Sequence, residues 1–339
     1  MGGKALNKYG VHTERKNTEE FLRIGKEIQD KFHFVLRFPV ETEIVTCYHQ
    51  KPDHGDLDLL IKIDQRFHNE GIDLRNFISD VFNPHAIHNN GGVYSFDYEN
   101  FQIDFIPVKE SKWETAKVYY SYDPLGNIMG KTFHKFGLSY GWDGLFYKFR
   151  NFNGRLAQNI LLTNDAQKIF EFGGYDYNRY LQGFETLEDI LKFAIDCKYF
   201  DTEIFQMNNL KSIDKKRNRK RGSYHVFLKY LEDNNINVRY PFEKNKELYL
   251  PMIDNSFPEA KLMDKLSELQ AKDRENKILS QRFNGDLVMS WLPDLKGKEL
   301  GNAMTKFKNS FDTEEDYRKF VLTACYSAIE NRFMNTYNE

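Results

Sequence analysis

After Asn17-Thr18-Glu19-Glu20, apolar residues fall at helical spacing: Phe21, Leu22, Ile24 and Ile28. This predicts an amphipathic helix to about Phe32 with Asn17 at its cap. The period then changes. Residues 33–38, 43–48 and 56–63 are dense in β-branched and aromatic side chains and predict strands. Residues 74–82 predict a short helix ended by Asn83-Pro84. Residues 91–96 and 101–108, separated by Asp97-Tyr98-Glu99-Asn100, predict a hairpin. From about Trp113 onward the pattern predicts helices alternating with short loops, and the final third reads as mostly helical. Residues 236–252, with two prolines and several charges, predict a linker. The expected class is α+β, with domains over 1–150, 151–235 and 251–339.

Three acidic residues stand out against this pattern. In Gly55-Asp56-Leu57-Asp58-Leu59-Leu60-Ile61, strand alternation puts Asp56 and Asp58 on one face and Leu57, Leu59 and Ile61 on the other. Two carboxylates sharing a sheet face repel each other unless a cation lies between them, and a hard divalent ion with oxygen ligands suits that place. Asp104 sits in a similar alternation, Phe101-Gln102-Ile103-Asp104-Phe105-Ile106-Pro107. If its strand neighbours the first, the three carboxylates form one cluster able to hold two ions.

Composition narrows the classes. Phe, Tyr and Trp number 29, 20 and 3, ample material for a core. No run approaches the ~18 apolar residues of a membrane-spanning helix, and the opening segment lacks the apolar stretch of a secretory signal. Leu6 stands where N-myristoylation favours Ser or Thr. Cys47, Cys197 and Cys325 are far apart, with no CxxC, so a reducing, cytoplasmic setting is expected. Lys plus Arg number 48 against 50 for Asp plus Glu; nucleic-acid binding therefore requires local clustering of charge. His85 and His88 lack the neighbours of a zinc site, and no GxSxG, Walker A loop or dinucleotide fingerprint occurs.

The segment 45–58, Val-Thr-Cys-Tyr-His-Gln-Lys-Pro-Asp-His-Gly-Asp-Leu-Asp, resembles the motif of family X DNA polymerases and the wider polymerase-β nucleotidyltransferase superfamily. There Gly-Ser, an aromatic, Arg-Arg-Gly and a short turn lead into Gly-Asp-x-Asp. Residues 119–131 and 136–138 are similar in spacing to that family's sugar-contacting turn and nucleotide-facing helix. The resemblance covers about residues 18–150. It implies an N-terminal nucleotidyltransferase palm, a mixed sheet flanked by helices, followed by a mostly helical region. It also implies two Mg²⁺ or Mn²⁺ ions on Asp56, Asp58 and Asp104, the catalytic carboxylates. Thr46 and Gly55, with Lys51 or Lys131, would meet the triphosphate; Tyr119 and Tyr120 the sugar; Asp123 and Asn127 the base. The chain departs from the family at Val45-Thr46 in place of Gly-Ser, at His49 in place of a phosphate-binding Arg, and at Gly130 where the helix carries Arg. These departures disfavour templated DNA synthesis.

Between Lys211 and Arg221, seven of eleven residues are cationic: Lys211, Lys215, Lys216, Arg217, Arg219, Lys220 and Arg221. Followed by Tyr224-His225-Val226-Phe227, this run suits phosphate contact and base stacking. Residues 283–288 and 295–301 faintly resemble the helical tail of bacterial-type tRNA nucleotidyltransferases, though no Glu-Asp-x-x-Arg occurs. The expectation is transfer of NMP from an NTP or dNTP to a nucleic-acid 3′ hydroxyl, template-independent and on RNA. Three alternatives stay open: a family X-like DNA polymerase, nucleotidylation of a small molecule or protein, and a non-catalytic nucleotide-binding module. Gly2-Gly3-Lys4 at the start is a candidate phosphate contact or a loose terminus.

Overall fold

Helix α1 (Thr18–Leu36) begins as predicted, with Asn17 Oδ1 accepting from the Glu20 N–H at 2.9 Å. It runs on through residues expected as strand. Phe32 and Leu36 follow Ile28 at four-residue steps on the buried face, so the helical period overrides the aromatic, branched composition. The computed structural model describes residues 3–36 and 38–339; Gly2 lies outside the described residues.

Strands β1 (Thr42–Ile44) and β2 (Asp56–Ile63) follow, then helix α2 (Leu74–Phe82) and strands β3 (Ile87–Asn90), β4 (Val93–Tyr98) and β5 (Phe101–Lys109). They form one mixed sheet in the order β1-β2-β5-β4-β3, parallel between β2 and β5 and antiparallel elsewhere. The β4–β5 hairpin turns through Glu99 and Asn100, both left-handed at φ +50° and +58°, which matches the twist of a two-residue hairpin. Residues 45–52, expected partly as strand, leave the sheet as a loop. A short antiparallel pairing of residues 16–17 with 53–54 ties this loop to the segment before α1.

The sheet has two unlike faces. On one, Leu57, Leu59, Ile61, Ile103 and Phe105 are buried with Ile24, Ile28 and Phe32 of α1 and Phe77 and Ile78 of α2. On the other, Leu60, Ile106 and Val108 pack with Trp113 and Ala116 of helix α3 (Trp113–Tyr120). Alternation carries this second face back along β2 and β5 to Asp58, Asp56 and Asp104. The carboxylates therefore occupy the strand starts, past the ground covered by α3.

Helix α4 (Leu125–Lys135) is followed by three strands, β6 (Leu138–Gly141), β7 (Gly144–Arg150) and β8 (Leu156–Thr163), in a sheet ordered β8-β7-β6. This corrects the helical reading of the region. Trp142 and Asp143 make a two-residue turn between paired Gly141 and Gly144, without the glycine or asparagine that usually marks such a turn. Helices α5 (Ala166–Gly173), α6 (Tyr177–Leu181), α7 (Leu187–Ile195), α8 (Ser212–Asn218), α9 (Gly222–Asp233) and α10 (Leu250–Ser256) come next. The class is α+β.

The chain divides into two units, residues 1–148 with 159–260 and residues 149–158 with 261–339. The expected linker, residues 236–252, lies inside the first unit. There Thr202 N–H donates to Val238 O at 2.9 Å and Val238 N–H to Thr202 Oγ1 at 3.0 Å. The second unit contains α11 (Leu262–Arg282), α12 (Gly285–Trp291), α13 (Gly297–Asn309), α14 (Glu314–Thr323) and α15 (Tyr326–Asn338). Its core joins Phe283, Val288, Phe307, Val321, Ile329 and Phe333. Arg282 donates to the carbonyls of Val321 and Ala324, satisfying acceptors at the end of α14.

Candidate active site

Asp58 and Asp104 are register partners on β2 and β5, and Asp56 pairs with Gln102. Neighbouring strands run about 4.8 Å apart. Asp56, Asp58 and Asp104 thus share one small area of one face, as the alternation in each strand predicts. Burial and the fields of Asp104 and Asp56 hold the Asp58 carboxyl well above the usual carboxylate range. Burial, with a contribution from Asp56, pushes Asp104 up to about 6, against hydrogen bonds from Ser95 and Gln102 that favour its charged form.

Two neighbours hold these carboxylates. The Gly3 N–H donates to Asp56 Oδ2 at 3.2 Å. Gly3 is left-handed at φ +83°, and a Cβ there would stand 2.3 Å from the Gly55 carbonyl oxygen, so the close approach needs glycine. Gln102, buried at 2% exposure, donates from Nε2 to both oxygens of Asp104 at 3.0 and 3.1 Å. Its Oε1 accepts the Ala5 N–H at 2.9 Å, which fixes the orientation of the amide. Gly3, read from the sequence as a candidate phosphate contact or part of a loose terminus, here donates to a carboxylate; Gln102 was assigned no role, and its signal was its place two residues before Asp104, on the same strand face. Thr13 Oγ1 donates to Gly3 O at 2.8 Å, and Arg15 pairs with Asp53 at 2.7 Å while also feeling the charge of Asp56.

Among the described residues, no three His, Cys, Asp or Glu groups are gathered closely enough to hold a metal ion. Gly3 and Gln102 instead direct hydrogen bonds onto Asp56 and Asp104. The donor chemistry still fits a hard divalent cation: oxygen-only, acidic, and self-repelling in its absence.

The loop before β2 carries the remaining motif residues. Val45 N–H donates to Asp58 O and Tyr122 N–H to Thr46 O, both at 2.9 Å. Lys51 Nζ lies 3.3 Å from Cys47 Sγ and its charge acts on Asp58. His49 Nδ1 lies 2.8 Å from Glu185 Oε1. Lys51 and Asp123 line a cavity of about 170 Å³ together with Tyr48, Tyr122 and Ser223. Tyr120 packs beside Leu60, Ile106 and Trp113, and burial and neighbouring charge raise its phenol. Tyr119, Asn127 and Lys131 line a different cavity of about 450 Å³, so the expected nucleotide contacts fall in two places.

In that larger cavity Gly126 lets α4 approach α3: a Cβ on it would stand 2.6 Å from the Tyr119 carbonyl oxygen. Asn127 Oδ1 is buried without a hydrogen-bond partner. Lys131 Nζ sits 5.2 Å from the Tyr224 ring centroid, and burial lowers its pKa. The basic run divides here. Lys211, Arg217 and Arg221 line the cavity, while Lys215, Lys216, Arg219 and Lys220 are not among its lining residues. In the second unit, Asn284 caps α12 by accepting the Leu287 N–H at 2.9 Å, which gives the Asn-Gly-Asp segment a structural role.

No protein-family model and no curated protein matches the chain. Two solved structures of Leishmania infantum polymerase beta are similar in part. The ternary gap complex shares 15% identity over 40% of this chain and 52% of that one, with a TM-score of 0.34. The ternary P/T complex shares 14% over 48% and 74%, with a TM-score of 0.36. The chain spans about half the length of the first of these.

Proposed function

We propose that this chain is a metal-dependent nucleotidyltransferase that moves an NMP from an NTP or dNTP to a nucleic-acid 3′ hydroxyl without a template. The observation that supports it is the pairing of Asp58 with Asp104 on adjacent parallel strands, with Asp56 on the same face. Asp56, Asp58 and Asp104 would hold two Mg²⁺ or Mn²⁺ ions, which when bound supply an acidified hydroxyl and charge neutralisation on the phosphates. The acceptor oxygen attacks the α-phosphorus, the bond to the β-phosphate oxygen breaks, and pyrophosphate leaves. Asp104, nearest its charged form above pH 6, receives the hydroxyl proton. Lys51, with Thr46 and Gly55, lies on the triphosphate side, next to Asp58 in the motif loop. Tyr119 and Tyr120 would lie near the sugar and Asp123 near the base; Asn127, expected beside Asp123, lines the second cavity instead. His49 pairs with Glu185 rather than standing as a free phosphate clamp, which favours untemplated addition. Residues 1–148 with 159–260 would carry the catalytic and nucleic-acid-binding parts, and 149–158 with 261–339 the helical tail, rather than the three domains expected from the sequence. RNA as acceptor and a cytoplasmic site of action complete the reading.

The test is incubation with each labelled NTP and dNTP, Mg²⁺ or Mn²⁺, and RNA or DNA oligonucleotides. Lengthened product that requires metal and is lost in Asp104→Asn supports the reading. Metal-dependent NTP binding with no lengthening of any strand would favour a small-molecule or protein acceptor; no NTP binding would favour a binding module.

A further inference from the structure

Like charge gathers a second time in the first unit. The 450 Å³ cavity is walled by α4, the start of β6, the end of β7, residues 204–211, α8 and Lys246. Six cations project there: Lys131, Lys135, Lys148, Lys211, Arg217 and Arg221. Among the described residues none of the six forms an ion pair with a carboxylate. Lys246 adds a seventh charge and donates to the His134 carbonyl. A single carboxylate, Asp214, stands among them. Cations drawn from separate chain segments into one concave wall, with one carboxylate lining it among them, repel one another and favour an anion between them.

Two features of the wall suit a nucleotide unit rather than a bare ion. Tyr119 is held edge-to-face by the buried Tyr140, ring centroids 5.1 Å apart, and base stacking on an aromatic face is sequence-tolerant. The unpartnered Asn127 Oδ1 awaits a hydrogen-bond donor. The position of the cavity separates it from the reacting phosphates. Lys51, not a cation of the cavity, is the positive charge acting on Asp58. Tyr119 lines the cavity with Arg217 and Arg221 and feels their charge as well as that of Asp143 and Asp123.

We propose that this cavity holds backbone phosphates of the acceptor strand, upstream of its 3′ end, so that the strand runs from the carboxylates past Tyr119 into the cationic wall. The proposal rests on the nucleotidyltransferase reading for the word acceptor, but phosphate-strand binding stands or falls without chemistry. It also splits the basic run by role: Lys211, Arg217 and Arg221 grip the strand, while Lys216 and Lys220 contribute only general field.

The test measures binding in EDTA, where no transfer occurs. Labelled single-stranded RNA and DNA, ATP and inorganic tripolyphosphate are titrated onto the full chain across a salt series. The wild type is compared with Lys148→Gln/Lys211→Gln and with Lys216→Gln/Lys220→Gln, which removes the same charge outside the cavity. Melting temperatures establish that both variants fold. The inner pair is expected to weaken strand binding by about tenfold and to lower the salt slope by about two, with ATP affinity little changed. The outer pair is expected to weaken strand binding less than about twofold. Equal losses in both pairs would overturn the proposal in favour of diffuse surface charge. Loss of ATP or tripolyphosphate binding with strand binding intact would overturn it in favour of a free-nucleotide site. If strand lengthening fails in wild type while the inner pair still lowers strand affinity, the catalytic reading falls and this one stands.

Discussion

The acidic face and the cationic cavity are built by opposite routes. Three carboxylates meet because two strands lie side by side in a fixed register, each alternating with period two. The cations meet because α4, β7 and α8 fold around one hollow, with no common period linking their positions. Asp58 and Asp104 are enclosed, and enclosure shifts their titration upward. Most of the cations end in solvent, where water screens them. A buried cluster of like charge stores instability; an open one stores mainly attraction for a counter-ion.

The largest expected effect comes from Asp104→Asn. Strand extension should fall about a thousandfold, near 4 kcal/mol of barrier. The same change removes a self-repelling charge, so the melting temperature at pH 7.5 should rise, equivalent to about 2 kcal/mol. Extension that survives the substitution would detach the acidic face from chemistry altogether.

Next comes acid stability. His54, 3% exposed and stacked on Phe21 at 3.8 Å, is pushed down to about 4 by burial. The unfolded chain therefore binds its proton first, and stability should drop as pH falls from 6.5 to 4, by roughly 3 kcal/mol at most. Asp104, raised to about 6, acts with the opposite sign: the folded chain holds its proton first, and stability is lost as pH climbs from the ordinary carboxylate range through 6. Urea unfolding of His54→Phe across this window should show the acid loss flattened; an unchanged slope would mean His54 is not the group responsible.

Gly126→Ala tests the cavity wall. The added methyl meets the Tyr119 carbonyl, so a loss of about 1–3 kcal/mol in urea unfolding is expected, with weakened strand binding. Wild-type stability would show that α4 and α3 need no such approach.

The smallest effect separates the two charge clusters directly. At pH 7.5 both Mn²⁺ and tripolyphosphate should raise the melting temperature by a few degrees at ligand concentrations well above Kd. At pH 5, below the value near 6 for Asp104, the Mn²⁺ shift should vanish while the tripolyphosphate shift persists. Loss of both at pH 5 would mean that the two clusters respond as one.

The same contrast explains what the sequence disclosed. Strand alternation made Asp56, Asp58 and Asp104 readable before any fold was known, because period two is local and the apolar partners mark the opposite face. The helix over 74–82 and the 93–109 hairpin were readable for similar local reasons. The end of α1 was not, since residues 33–38 look like strand until their burial period is counted. The sheet over 138–163 hid behind a Trp-Asp turn that lacks the usual glycine or asparagine in its centre. Gln102 was on the page as a residue but its donation to Asp104 is a matter of rotamer. Lys135, Lys148 and Lys246 were invisible as a set, since only tertiary structure brings them to Lys211 and Arg217.

The parallel pairing of β2 with β5 has a consequence for synthesis. Parallel neighbours cannot be joined by a tight turn, and here the connection runs from residue 64 to 100. A ribosome-bound chain exposing only the first two acids, Asp56 and Asp58, would lack the third until a further 46 residues, to Asp104, had emerged. Any ion capture by the three acids would thereby wait until the whole sheet closes, and fragments ending before Phe101 should bind Mn²⁺ no better than an ordinary acidic peptide.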